Sequence, residues 1–364
     1  MQNKEEKEKQ VLLKIIKQLI GVSAVLFVGI IILGFLLIFG APDLSSKKPV
    51  ITNTDEQKSE ITPAIIDTIK YWKAPEESSL AANVNKDLIL YGKELVAHTA
   101  DYFGVQGKVS RQATNGMNCQ NCHLDAGTKI FGNNYSAVAA TYPKYRARSG
   151  AVEDIYKRIN DCFERSLNGK ALAPDSKEMR AMAAYINWLG KEVPKGEKPA
   201  GSGLKDLAFL DRAADANMGN LVYTQKCLSC HQANGQGQWN ANKTAYIYPP
   251  LWGEHSYNNG AGLYRISNFA KYVKYNMPLG VNHNNTQLTD QEAWDVAAFV
   301  NSKPRPKKDI GKDWPKIEEK PFDHPFGPFA DGFSEMQHKF GPFKPIKSKI
   351  DAIKKKKDKA KKTT

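Results

Sequence analysis

Two five-residue stretches, Cys119-Gln120-Asn121-Cys122-His123 and Cys227-Leu228-Ser229-Cys230-His231, constrain this chain more than any other feature. A Cys-x-x-Cys-His run is the attachment signature of a c-type haem. Its two cysteines form thioethers with the vinyl groups, and its histidine gives the iron one axial nitrogen. A structural zinc site would need four ligands, and neither copy has a second pair nearby in sequence. The chain is therefore expected to carry two covalently bound haem c groups, one on Cys119, Cys122 and His123 and one on Cys227, Cys230 and His231. What each iron can do then depends on its second axial ligand.

The surroundings of the two motifs repeat as well. Lys86 to Phe103 and Met218 to Lys226 read as helices leading into their motifs, and Glu178 to Leu189 and Gln291 to Val300 as helices closing each half. The closing segments share a texture, Met182-Ala183-Ala184-Tyr185-Ile186 and Val296-Ala297-Ala298-Phe299-Val300. Small residues beside an aromatic let such a helix pack closely on its neighbours. The expected fold is mainly α, with two class I cytochrome c-like domains in tandem, residues 86–190 and 218–302. They are joined by 191–217, where Pro194, Gly196, Pro199, Gly201 and Gly203 break regular structure ahead of a few helical turns. Residues 303–345 hold too many prolines for a regular helix and too many aromatics for a free tail, so they are expected to wrap irregularly over both domains.

Ahead of the domains, Leu19 to Ala41 contains no charged residue over 23 positions. At ~1.5 Å per residue this is about 35 Å of helix, enough to span a bilayer. A cleaved signal peptide is the rival reading, but its apolar region is shorter and no small-x-small cleavage site follows Phe39. Residues 18–41 are thus expected to be an uncleaved transmembrane anchor. Lys4, Lys7, Lys9, Lys14 and Lys17 hold residues 1–17 in the cytoplasm and place the haem domains on the periplasmic side. Residues 42–85 read as a polar linker, with a short helix around Ile65 to Trp72. The net charge of +14 is concentrated at the far end, where ten lysines from Lys344 onward face only Asp351 and Asp358. The tail 346–364 is expected to be solvated and disordered, with anionic lipid or an acidic redox partner as the functional alternative, and no nucleic acid partner.

The second half has an evident distal ligand. Met277 lies 46 residues after His231 and immediately before Pro278, the usual setting of the thioether that raises a haem potential. In the first half, Met179 and Met182 fall within the closing helix and read as core. Cys162 lies 39 residues after His123 and 21 before Ala183, while Met277 lies 20 before Ala297. Cys162 therefore stands where a distal ligand belongs, and the other four cysteines are taken by haem. Its rivals are a packing role, since Ile155, Ile159 and Cys162 follow helical spacing, and His98 as ligand. A thiolate would lower the potential relative to His/Met, giving one iron for chemistry and one for relay.

Arginines crowd this cysteine. Tyr142-Pro143-Lys144-Tyr145-Arg146-Ala147-Arg148-Ser149-Gly150 precedes it and Arg158-Ile159-Asn160-Asp161-Cys162-Phe163-Glu164-Arg165-Ser166 surrounds it. Guanidinium forks suit oxyanions, although a solvated charged face or contacts to haem propionates would also account for them. These segments, with Asp125-Ala126-Gly127-Thr128, Pro249-Pro250-Leu251-Trp252-Gly253, Tyr257 to Gly262 and Pro321 to Pro345, resemble the di-haem thiosulfate dehydrogenase family, which joins two thiosulfates into tetrathionate. The resemblance implies His/Cys ligation at the catalytic haem, here through Cys162, and substrate-site roles for Arg148, Arg158 and Ser166. It also implies an external redox partner such as a c-type cytochrome, and tetrathionate reduction as the reverse reaction. Some members place an exchangeable lysine before the distal methionine; here that position is Asn276. The alternatives are a membrane-anchored di-haem electron carrier without its own substrate and, more weakly, a di-haem peroxidase.

Overall fold

The computed structural model describes residues 17–21, 23, 27 and 69–362. Its body is mostly helical and built twice over. In the first domain α1 (Lys86–Ala97) crosses α3 (Lys177–Leu189), and α2 (Ile155–Arg165) packs on α3. In the second, α4 (Ala216–Lys226) crosses α6 (Asp290–Ser302), and α5 (Ile266–Asn276) packs on α6. Caps written in the sequence start these helices: Asp154 accepts from Lys157 N–H, Ser176 from Met179 N–H, and Thr289 with Glu292 forms a capping box. Met179, Met182, Ile186 and Leu189 turn one stripe of α3 into the core, as the helical spacing predicted.

Each helix crossing depends on a glycine. A Cβ on Gly92 of α1 would stand 2.0 Å from the Ala181 carbonyl oxygen, and one on Gly219 of α4 would stand 1.9 Å from that of Asp295. The next obstacles are Tyr185 Cβ and Phe299 Cβ, each four residues farther along its helix. The two domains therefore bury the same backbone-to-backbone contact. Two small antiparallel ladders complete them, β1 (Lys144–Arg146) with β2 (Ala151–Glu153) and β3 (Gln238–Trp239) with β4 (Tyr246–Tyr248).

The segment after residue 302 does bind both domains. It runs beside the second through Gly253 N–H to Pro304 O (2.8 Å) and Asn259 N–H to Pro306 O (3.1 Å). It reaches the first through Trp314 N–H to Arg148 O (2.7 Å) and a two-pronged Arg165–Asp313 pair at 2.7 and 2.8 Å. It then returns to the second, where Asp323 accepts from Arg265 and from Ser267.

Three expectations need correction. The tail from 346 belongs to a helix, α7 (Phe343–Lys362), whose first turn is held by buried Phe343 and Ile346 and by an i,i+4 pair of Lys347 with Asp351 (3.1 Å). Of the expected short helix Ile65 to Trp72, residues 69–72 are not helical, Trp72 N–H being taken by Ala200 O (3.0 Å), and 65–68 lie outside the described residues; Leu80, near the end of the linker, is buried. Residues 191–215 hold no helical turn; α4 begins at Ala216. Among the described residues no helix is long and apolar enough to cross a membrane. Of the expected anchor 18–41, residues 18–21, 23 and 27 are described and helical, and the remainder lies outside the described residues.

Candidate haem and substrate sites

Cys119–Asn121 forms a tight 3-10 turn, locked by reciprocal bonds between Asn118 and Asn121, and delivers His123 to a cavity of about 120 Å³. His123 Nδ1 is 2.5 Å from Asn133 O, so it donates there and leaves Nε2 as the free ring nitrogen. Burial pushes the imidazole down to about 4, which keeps it neutral, as a metal ligand must be. Tyr135 stacks on it at 4.5 Å. The second motif closes on a helical turn, Leu228–His231, where His231 Nδ1 meets Pro249 O at 2.8 Å and burial again lowers the pKa. His231 lines a larger cavity, about 310 Å³, together with Cys227, Cys230 and Met277.

Both donor sets suit a covalently held haem: each motif has two thiols and an imidazole oriented from behind, and each histidine shares its cavity with one further sulfur, Cys162 or Met277. The two sites adjoin. Cys119 faces the first cavity, whereas Cys122 lines the second, and Tyr272 of α5 donates to Asn121 O at 2.7 Å across the domain boundary.

Cys162 lines the first cavity with His123 and Arg158. The choice left open in the sequence between Cys162 and His98 now has geometry attached. His98 sits between two helices with about half its side chain in solvent, beside Glu94, and does not line the cavity. Met182 and Ile186 of α3 form part of the cavity wall as well as the core. Arg158, one helical turn before Cys162, is held firmly cationic, first by its electrostatic interaction with Cys162 and against its own burial.

The other two residues expected at the substrate site lie elsewhere. Arg148, in the turn between β1 and β2, lines a small neighbouring cavity with Tyr264, Arg265, Asp313 and His324, and its guanidinium stands over Trp314 at 5.7 Å. Burial, with Arg165 and Arg158 nearby, pushes it down to about 10, still cationic at neutral pH. Its Nε is buried without a partner. Ser166 follows the last residue of α2, donates its N–H to Cys162 O at 2.9 Å, and is not part of the cavity lining. Two groups were not singled out from sequence. Tyr142, 8% exposed, has a buried hydroxyl without a partner and feels the charges of Arg158 and Cys162, while Arg165 is spent on Asp313. Both lie within the quoted arginine-rich segments, but their roles depend on contacts between distant residues.

Comparison with known proteins adds independent findings. Residues 109–194 match the family model described as SoxA/TsdA, cytochrome c domain, and residues 216–303 match Cytochrome c. A thiosulfate dehydrogenase of Psychrobacter arcticus is 37% identical over 246 residues, covering 67% of this chain and 71% of the relative. One of Allochromatium vinosum is 43% identical over 196 residues, covering 53% and 71%. Among solved structures, thiosulfate dehydrogenase (TsdBA) from Marichromatium purpuratum in its "as isolated" form aligns with a TM-score of 0.59 at 30% identity. That alignment covers 65% of this chain and half the length of the other.

Proposed function

This chain belongs to the thiosulfate dehydrogenase family, a di-haem oxidoreductase acting on thiosulfate, and from that premise we propose that it couples two thiosulfates into tetrathionate at the first site and relays electrons through the second. The observation that carries this reading is the grouping of His123, Cys162 and Arg158 on one cavity. The coupling forms one S–S bond and releases two electrons, one from each thiosulfate, which the two haem groups, when bound, would accept. His123 and Cys162 would hold the first iron and His231 and Met277 the second, each pair lining one cavity. Two dianions repel each other as they approach, and the buried Arg158 cation offsets part of that repulsion where water screens least. Arg148 and Ser166 contribute from outside the lining, Arg148 by adding positive potential along the approach. Microscopic reversibility lets the same site reduce tetrathionate, and an external c-type cytochrome exchanges electrons at the second site.

The product assay tests the chemistry. Haem-loaded protein with an excess of a one-electron acceptor should consume two thiosulfates for each tetrathionate and reduce two acceptors. Sulfite or sulfate as the main product would refute the coupling. The rival electron carrier without a substrate gives way to the family membership.

We also place the haem domains outside the cytoplasm, tethered to the cytoplasmic membrane by residues 18–41, a reading supported by the uncharged run in the sequence. A chain lacking residues 1–41 and exported behind a cleavable leader should fractionate as soluble with both haems attached. Retention of that chain in washed membranes would contradict the anchor.

A further inference from the structure

A short loop after the first motif touches both iron sites. Its Asn133 carbonyl receives His123 Nδ1–H at 2.5 Å. Two residues earlier, Phe131 O accepts from Asn276 Nδ2 at 3.0 Å, and Asn276 is the residue just before Met277. Lys129 Nζ donates to Val281 O at 3.0 Å, and the Phe131 ring meets His283 edge-on at 5.0 Å. From its other side the interdomain linker holds the loop: Phe131 N–H donates to Gly201 O and Asn133 N–H to Gly203 O, both at 2.9 Å. Phe131 and Asn133 have φ of 55° and 59°. Residues with a Cβ keep such left-handed values only where the surroundings over-determine them.

Asn276 is 1% exposed and its Oδ1 has no partner. An unpaired buried oxygen is destabilising, so an apolar residue would sit there at lower cost unless the amide N–H groups served a purpose. One of those bonds stays within the helix, to Tyr272 O at 3.2 Å; the other crosses to Phe131.

We propose that Asn276 is a positioning residue that couples the two iron sites: through Phe131 O it fixes the loop whose Asn133 carbonyl holds His123. The coupling rests on the reading above in which His123 and Met277 are axial ligands. A firm acceptor at Nδ1–H makes the opposite ring nitrogen a stronger donor and favours ferric iron. Releasing the loop weakens that acceptor, so the first site becomes easier to reduce. A displacement of Met277 at the second site reaches His123 along the same path.

Asn276→Leu keeps the bulk and removes the donor. In haem-loaded protein, redox titration with each iron followed by its own electron paramagnetic resonance signal should show the reduced-to-oxidised ratio of the first site, at fixed potential, rising three- to tenfold. Tenfold corresponds to about 59 mV for a one-electron couple. Lys129→Met, which cuts the other tie, should move the same ratio in the same direction, and Asn276→Gln should restore part of it. Should Asn276→Leu fail to load both haems, Lys129→Met decides alone. A first-site ratio unchanged in every variant that loads, with or without a shift at the second site, overturns the coupling. A wild-type spectrum without a histidine-ligated first iron would instead overturn the ligand assignment beneath it.

Discussion

Cys162→Gly is expected to lower thiosulfate-dependent reduction of an external acceptor on the order of 10³-fold while both haems remain attached. Attachment depends on Cys119, Cys122, Cys227 and Cys230, which the substitution leaves alone. Two things are lost together. Under the proposed ligation the first site would lose its sulfur donor, and Arg158 loses the neighbour that does most to favour its cation. A buried guanidinium stripped of its most favourable neighbour rearranges, so substrate affinity should fall along with turnover. Cys162→Met separates the contributions: a thioether restores a soft ligand but neither the charge nor the nucleophile, so the first-site potential should rise and activity should stay low. Steady-state rates with ferricyanide as acceptor, together with haem content, measure this, and wild-type turnover in Cys162→Gly would defeat the proposed site.

The second large effect concerns the helix crossings. Gly219→Val is expected to cost about 3 kcal/mol or more, because its Cβ would fall at 1.9 Å from a backbone oxygen that cannot turn aside. Gly92→Val should behave alike in the other domain, where the gap is 2.0 Å. Each should destabilise its own domain first, while the thioether-held haems stay attached. Met218→Ala is the control, since that side chain is half exposed on the same helix. Thermal melting, with haem quantification as the loading control, gives the answer; a Gly219→Val protein with the melting point of the parent would show that the crossing is looser than described.

Much of this was legible because it is local. A five-residue motif carries its own chemistry, and α3 and α6 show their apolar stripes within thirteen residues. Cys162 stands out as a candidate when the two halves are aligned at those helices, an alignment that the repeated fold permits. The glycines were harder: Gly92 lies 27 residues before its motif and Gly219 only 8, so an insertion hides their equivalence. Arg148 lies ten residues before Arg158 but does not share its cavity, since the β1–β2 turn carries it toward Trp314 and Asp313, more than 160 residues away in sequence. The tail misled for a different reason. Its lysines dominate the composition, while Phe343, Ile346 and Ile350, spaced three and four apart, supply the stripe that starts α7.

The central claim is that the two irons have different distal ligands, Cys162 at the site of chemistry and Met277 at the relay. Low-temperature electron paramagnetic resonance of the fully oxidised protein tests it most directly, in parent and Cys162→Gly side by side. The account predicts one histidine/thiolate and one histidine/methionine low-spin ferric signal in the parent, with only the first disappearing in the variant. Two signals without thiolate character, whether from His98, Met182 or a second histidine, or a spectrum that Cys162→Gly leaves untouched, would contradict it.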